Sequence, residues 1–413
     1  MKKIFLHRFL ITTIFIAVFG CTTPYNYQSS SAYEDIIVIE STITNQNKTQ
    51  EVKVSRAYKL DEKSPTFETG AVVFVTDNAG NKYDFKQNTD IYTSVSPFQV
   101  VADRQYQLHV RTKDGRSYIS TTEKLPQQTE ISSVEANKVT KDNQLGVEIT
   151  VNSNDPTNNS HYYRYEYEET YKIVAPKYYP QKATVVYYPA GSYPPGKVVL
   201  EDRTEDVRVC YSTKNSTELL LTSTTDLSED RVTNFPVRFI ASTDPIIMNR
   251  YSILVKQYVQ NLAAHTFSET LNEISKSGSI LSQTQPGFFY GNIKSVDNPG
   301  EKVIGYFDVS SYSEKRIFFN FKDLLDGQPI PLYPYNCPTE FATEEEAKAY
   351  IFSYCFNKNP DFKCQGELIL SFLSSGYKVY YPTEFPTSYV IYPIECGDCT
   401  SFSSNIKPPF WID

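Results

Sequence analysis

Short runs in which apolar and polar residues alternate are the feature that most restricts how this chain can fold. Residues 106–112 (YQLHVRT) place Tyr106, Leu108 and Val110 on one face and polar side chains on the other, which is the period of a β-strand with one buried face. Residues 113–116 (KDGR) follow directly and carry the Asp-Gly pair of a tight hairpin turn. Several such runs, each bounded by a turn signal, predict antiparallel β-structure.

The composition supports the same fold class. The chain has 413 residues, and its 33 Tyr and 25 Phe stand against one Trp and two Met. Tyr and Phe favour the half-buried surfaces of strands, and 24 Pro favour short strands broken by rigid turns. We therefore predict a mainly β protein, with an N-terminal Ig-like or transthyretin-like antiparallel sandwich over residues 34–125. A larger β-rich domain with two short helices and a disulfide-stapled end is expected over residues 126–413.

Two capping boxes predict the helices. Thr266-Phe-Ser-Glu269 would open a helix with Phe267, Leu271 and Ile274 on one face and Gly278 as its stop. Thr343-Glu-Glu-Glu346 would open a second helix, whose apolar face comprises Ala347, Tyr350, Ile351 and Tyr354.

The first residues predict export and lipid anchoring. Residues 1–8 are basic, and residues 9–19 (FLITTIFIAVF) form an apolar run too short to span a bilayer. Val-Phe-Gly-Cys at residues 18–21 is similar to a lipobox, in which the Cys21 thiol receives the lipid. We expect a signal peptide over residues 1–20, then lipidated Cys21 with a polar tether over residues 21–33. The alternative is a plain signal peptide with a chance cysteine.

The net charge argues against nucleic acid as a partner. The formal charge is −8, and it becomes −11 once the signal peptide, with Lys2, Lys3 and Arg8, is removed. A body this acidic repels phosphate backbones and anionic membrane surfaces.

Six cysteines remain beside Cys21, and an even number in an exported protein favours disulfides. They allow about fifteen pairings, so the sequence assigns none. Cys396 and Cys399 form a CxxC, for which we favour a structural disulfide role over zinc or redox chemistry, because no second pair, nearby His or βαβ context accompanies it. The possible disulfide cysteines are Cys210, Cys337, Cys355, Cys364, Cys396 and Cys399.

Tyrosine-rich segments are the candidates for partner contact. Residues 162–171 (YYRYEYEETY) alternate tyrosine with charge, so one face is expected to be buried and Glu166 and Glu168 to lie on a solvated face. Residues 178–195 are rich in Tyr and Pro and predict a projecting loop or hairpin, although such a loop could also lie on its own domain. The candidate partner-binding residues are Tyr178, Tyr179, Tyr187, Tyr188 and Tyr193.

Catalytic signatures are absent from the sequence. GxSxG, HExxH and Walker A motifs do not occur, and two SxxK matches, beginning at Ser375 and Ser404, lack partner motifs. The mature chain has three scattered histidines, of which His109 is expected at the polar rim of its strand. We predict no catalytic residues, no metal and no cofactor, and hence no enzyme.

The order of several short motifs resembles the domain-of-unknown-function 4249 family of Bacteroidota envelope lipoproteins. The matching segments include Gly70-Ala-Val-Val73, Asp114-Gly-Arg-Ser-Tyr118, Tyr162-Tyr-Arg-Tyr165, Arg250-Tyr-Ser-Ile253, Gly291-Asn-Ile293, Gly305-Tyr-Phe307 and the closing Cys396-Gly-Asp-Cys399 with Lys407-Pro-Pro-Phe-Trp411. The resemblance implies an outer-membrane lipoprotein, often encoded beside a TonB-dependent transporter, with an N-terminal sandwich and a larger β domain. It implies no known catalytic residues.

We therefore expect an outer-membrane-anchored accessory lipoprotein that binds a TonB-dependent transporter during nutrient capture. The membrane face is open, since no acidic export patch follows Cys21. A structural or adhesive envelope protein is the first alternative. A hydrolase using carboxylates such as Glu166 and Glu168 is the second.

Overall fold

The computed structural model describes residues 35–57, 64–192, 196–276, 289–337, 351–353, 370, 373–382 and 388–413. Over these residues the protein is mainly β, as the alternation predicted. The signal peptide (residues 1–20) and Cys21 with its tether (residues 21–33) lie outside the described residues. None of the helices in the described ranges is long and apolar enough to cross a membrane.

The first sandwich is built mainly from the N-terminal strands, and its core holds Ile39, Val75, Tyr106 and Leu108. The predicted hairpin at residues 113–116 is confirmed, because Arg111 pairs with Ser117 and Gly115 adopts a φ of 96°. The strands are β1 (Ile37–Thr44), β2 (Glu51–Arg56), β3 (Thr66–Phe67), β4 (Val72–Asp77), β5 (Lys82–Asn88), β6 (Ile91–Ser94), β7 (Gln105–Arg111), β8 (Ser117–Ser120) and β9 (Glu123–Lys124).

The second sandwich packs a three-stranded sheet, in the order β10-β11-β17, against the broad face of a larger sheet. Its core is rich in tyrosine: Tyr163, Tyr165 and Tyr251 are fully buried. The strands of this region are β10 (Ile131–Lys141), β11 (Gln144–Asn154), β12 (Tyr162–Val174), β13 (Gln181–Tyr187), β14 (Gly196–Asp202), β15 (Val209–Asn215), β16 (Leu220–Ser223), β17 (Arg231–Ala241) and β18 (Arg250–Val259).

One long strand, β21 (Phe307–Asn320), belongs to both sandwiches. Its first residues pair in parallel with β1, and the rest pairs antiparallel with β18. Phe307 and Val309 lie in the first core and Phe319 in the second. The large sheet therefore runs without a break through β15-β12-β18-β21-β1-β2-β6-β5-β4-β7-β8-β19. The remaining strands are β19 (Ile293–Ser295), β20 (Val303–Ile304), β22 (Ile351–Ser353), β23 (Tyr377–Pro382) and β24 (Ser388–Pro393).

The first core thus takes side chains from residues 293–309 as well as from residues 37–118. The division at residue 125 stays a prediction, since the two sandwiches share β21.

The helices differ in part from the sequence prediction. Helix α1 (Leu262–Lys276) is present, but it begins before the predicted cap. The side-chain oxygen of Asn261 accepts a hydrogen bond from the Ala264 N–H at 2.8 Å, so Asn261 caps the helix and Thr266 lies inside it. The start of the second predicted helix lies outside the described residues, and the prediction is wrong at its end, because Ile351–Ser353 form strand β22. Two shorter α-helices in the described residues are α2 (Phe321–Leu325) and α3 (Ile394–Gly397).

Candidate ligand-binding cleft

A cleft of about 980 Å³ lies between α1 and the rim of the first sandwich. The helix supplies one wall and the segments after β8 and before β19 supply the other. The lining residues are Thr121, Glu123, Leu262, Ala263, Thr266, Phe267, Thr270, Phe289, Tyr290, Gly291, Asn292, Lys294 and Tyr306.

Two glycines let the backbone at residue 291 pass close to residue 305, and residue 305 pass close to residue 39. This crossing of backbone segments shapes the cleft. A Cβ on Gly291 would lie 1.6 Å from the carbonyl oxygen of Gly305, and one on Gly305 would lie 1.9 Å from that of Ile39. Gly305 also adopts a φ of 114°, which side-chain-bearing residues rarely adopt. This crossing separates β20 from β21 and turns Tyr306 towards the cleft.

Asn292 locks the crossing with three hydrogen bonds. Its amide oxygen accepts from the Phe307 N–H at 2.8 Å, and its amide nitrogen donates to the Phe307 carbonyl at 2.9 Å. The same nitrogen donates to Glu123 Oε1 at 2.9 Å. Because these bonds are buried, they fix the floor of the cleft.

Three aromatic rings form a continuous apolar patch in the cleft. The rings of Phe267 and Phe289 stack with their centroids 4.6 Å apart, and the Tyr306 ring lies 5.2 Å from Phe267 at a tilt of 42°. Leu262 and Tyr290, at 59% and 61% exposure, extend the patch to the solvent. Burial raises the pKa of Tyr306, and the negative charge of Glu123 adds to this, so its hydroxyl stays protonated at neutral pH.

Glu123 places a carboxylate at the floor of the cleft, where it is only 8% exposed. Its Oε1 accepts from the Thr121 hydroxyl at 2.6 Å as well as from Asn292, and its Oε2 accepts from Asn261 Nδ2 at 2.7 Å. All three donors are neutral. Among the residues that the structure describes, no ion pair joins Glu123 to a basic side chain.

A second buried carboxyl group lies behind the floor. Asp308 Oδ2 accepts from Gln260 Nε2 at 2.9 Å and from the Ser310 hydroxyl at 2.7 Å. The other oxygen, Asp308 Oδ1, and the amide oxygen of Gln260 are both buried without a partner. Burial raises the pKa of Asp308, and the charge of Glu123 adds to this, whereas Arg164 and the two hydrogen-bond donors act in the opposite direction.

The predicted partner-binding tyrosines do not lie in this cleft. The segment forms a hairpin, with β13 paired with β14, and Tyr187 and Tyr188 at its tip are 60% and 40% exposed. Tyr178 packs instead against the cluster around Ile173 and Cys399, and Tyr179 is half-buried. Tyr193 lies outside the described residues.

The carboxylates considered for hydrolysis are held by arginines. Glu166 accepts from Arg164 at 2.8 Å and from the Tyr258 hydroxyl at 3.1 Å, and Glu168 accepts from Arg316 at 2.8 Å. His109 lies half-buried on the polar side of β7, stacked on Phe74 with a centroid distance of 4.6 Å. Across the described part of the chain, no group of three or more His, Cys, Asp or Glu residues could hold a metal ion.

The cysteines of the CxxC bond to distant partners and not to each other. Cys399 pairs with Cys210 across 189 residues, and Cys396 pairs with Cys337 across 59. Cys355 and Cys364 lie outside the described residues, as does Cys21. The Cys210–Cys399 bond holds the C-terminal segment on β15 of the large sheet, where Trp411 packs edge-to-face on Tyr211 at 5.0 Å.

The cleft was not identified from the sequence. Glu123, Asn292 and Tyr306 are brought together by strand pairings that no local pattern encodes. The available signal was the pair of motifs Gly291-Asn-Ile293 and Gly305-Tyr-Phe307, which meet at the crossing.

Comparison with known proteins identifies a matching family. The model of a family described as "Domain of unknown function (DUF4249)" matches residues 22–316, more than two thirds of the chain. No curated protein matches the chain.

Proposed function

The chain belongs to the DUF4249 family of unknown function, and we propose that it is an accessory binding lipoprotein of the outer membrane. In this proposal Cys21 carries the lipid, the cleft captures a small nutrient, and the protein works beside a TonB-dependent transporter. The proposal assigns no catalytic residue to the chain.

The observation that supports capture is the composition of the cleft. Sites for small molecules combine apolar and aromatic walls with a few fixed polar groups. The patch around Phe267 and Tyr306 supplies the first, and Glu123, fixed by Asn261 and Asn292, supplies the second. The volume of about 980 Å³ lies within the range of small-molecule sites.

The hairpin tip is the surface we propose for the transporter. Its strands are anchored from behind, because Val185 and Val198 pack with Leu370. The exposed tip carries Tyr187 and Tyr188, and exposed tyrosines bind partners at a low cost in side-chain entropy.

Affinity purification from intact envelopes tests the proposal. A tagged chain, extracted in mild detergent, is expected to carry a β-barrel transporter that mass spectrometry identifies. Replacing Tyr187 and Tyr188 together by Ala should remove most of the transporter, whereas Leu227→Ala, which truncates another exposed apolar side chain (56%), should not.

Recovery of the tagged chain as a lone monomer in repeated preparations would contradict the transporter role. Binding to cell-wall or host polymers without a transporter would favour the structural or adhesive alternative. Cys21→Ser tests the anchor separately, because the processed variant should leave the membrane fraction.

A further inference from the structure

Glu123 is a buried carboxylate whose charge is not neutralised by the described residues. A buried carboxylate is ordinarily paired with a cation, since an isolated charge is costly in a low-dielectric interior. The donors to Glu123 are the hydroxyl of Thr121 and the amides of Asn261 and Asn292, which satisfy hydrogen bonding without cancelling the charge.

The start of α1 lies directly beside this carboxylate. Asn261 both caps the helix and donates to Glu123 Oε2, so the carboxylate lies next to the positive end of the helix dipole. A carboxylate accepts about four hydrogen bonds, and the described residues supply three. One acceptor site on Oε2 therefore remains for a ligand.

The aromatic patch lines the same cleft as this charge. A cation within about 6 Å of an aromatic face is attracted by the ring quadrupole, and the attraction grows when water is excluded. Rings alone would suit any apolar ligand, and a carboxylate alone would suit any donor. The two together favour a ligand that is positively charged and has an apolar surface.

We propose that the cleft binds a small organic cation, an amine or quaternary ammonium compound, with Glu123 as the counter-charge and Phe267 and Tyr306 as the rings that contact it. Lys294 lies exposed at the rim and forms no ion pair with Glu123. The acidic mature chain attracts cations over a longer range. The ligand class rests on the capture role proposed above, because it names what the cleft captures.

Calorimetric titration of the full-length chain in detergent with choline tests this ligand class. The matched probe is the neutral isostere of choline in which carbon replaces nitrogen, and glucose and acetate are the remaining probes. We expect choline to bind and the neutral isostere to bind at least about tenfold more weakly. Glucose and acetate should give no heat of binding.

Glu123→Gln keeps the size of the side chain and one of its two acceptor oxygens but removes the charge, so choline affinity should fall at least about tenfold. Glu273→Gln, which removes an exposed carboxylate from the same helix, should bind choline like the unmodified chain. Phe267→Leu provides a second variant, because it removes a ring without touching the buried polar groups, and it should weaken choline several-fold. Circular dichroism confirms that each variant is folded.

Three results would overturn the proposal: no choline binding up to about 10 mM, equal choline affinity in Glu123→Gln, or binding of glucose or the neutral isostere as tightly as choline. These results are independent of the affinity purification that tests the transporter role. Choline binding without a transporter would retain the ligand class and reject the transporter role, and the reverse outcome would reject only the ligand class.

Discussion

Asp308→Asn is expected to remove a pH dependence from the stability of the protein. Asp308 Oδ1 and Gln260 Oε1 are both buried without a donor, while Gln260 Nε2 already donates to Asp308 Oδ2. Both orphaned oxygens are acceptors, so a proton on Oδ1 would supply the missing donor. We therefore expect Asp308 to be a neutral acid in the folded protein, paired with Gln260 by two hydrogen bonds.

The sign of the effect follows from the raised pKa of Asp308, which burial causes first of all. Between the ordinary value of 3.8 and the higher folded value, the folded chain holds a proton that the unfolded chain has released. Stability from this group is therefore complete below the ordinary value and declines as the pH rises, by up to about 1.4 kcal/mol per pH unit, until the folded pKa is passed.

An Asn at position 308 can donate to Gln260 Oε1 and accept from Gln260 Nε2 without any proton uptake. The free energy of unfolding of Asp308→Asn, relative to that of the unmodified protein, should therefore increase as the pH rises from about 4. The increase should be at most about 1.4 kcal/mol per pH unit. Urea denaturation followed by circular dichroism at several pH values measures this difference.

Asp90→Asn, which changes an exposed aspartate, is the control and should follow the unmodified protein at every pH. Infrared spectroscopy gives an independent reading, because the carbonyl stretch of a protonated carboxyl group should disappear in Asp308→Asn. Two results together would refute the neutral Asp308–Gln260 pair. The stability of Asp308→Asn and of the unmodified protein would change in parallel with pH, and the unmodified protein would show no infrared band from a protonated carboxyl group.

Three further predictions concern the frame of the fold. Burial raises the pKa of Asp77, but hydrogen bonds from Asn81, Tyr83 and Ala79 outweigh this effect and lower the pKa to about 2. Asp77→Asn should therefore cost at most about 2 kcal/mol of stability in urea melts at neutral pH, and this cost should disappear as the pH falls from 3.8 towards 2. A cost that stays constant with pH would contradict this prediction. Gly291→Ala should lose at least about 3 kcal/mol in thermal melts, because its Cβ would meet the Gly305 carbonyl at 1.6 Å, whereas Gly300→Ala, whose nearest atom is 3.5 Å away, should melt like the unmodified protein. Replacing Cys210 and Cys399 by Ser opens a loop of 189 residues and should cost about 5 kcal/mol of stability in guanidinium melts. Replacing Cys337 and Cys396 by Ser opens a loop of 59 residues and should cost about 4 kcal/mol. A larger loss of stability for the shorter loop would contradict the entropic account.

Local patterns in the sequence predicted the strands well because a strand with one buried face leaves a period of two in the chain. Tyr106, Leu108 and Val110 are buried as the alternation required, and so are Tyr163 and Tyr165. The start of α1 was misplaced because Asn261 and Thr266 both precede suitable apolar residues, and only the tertiary contact of Asn261 with Glu123 distinguishes them.

The cleft could not be predicted, because its residues come from separate parts of the chain. Glu123 meets Asn292 across 169 positions, and the disulfide partners of Cys396 and Cys399 are likewise set by the fold. A carboxylate in the short segment after β8 carries no local sign of burial. The glycines at 291 and 305 were visible in the sequence, but their meaning depends on the crossing.

Strand β21 has a consequence for the order in which the protein can form. The first core is completed by four later residues, Ile293, Val303, Phe307 and Val309. When a ribosome has released only the first 125 residues, part of the interior of this sheet is therefore still missing. The apolar side chains of the early strands stay exposed until residues 293–309 have been synthesised. A protein assembled in this way gains most of its cooperativity at the end of synthesis, and a fragment truncated before residue 293 should be readily cut by proteases.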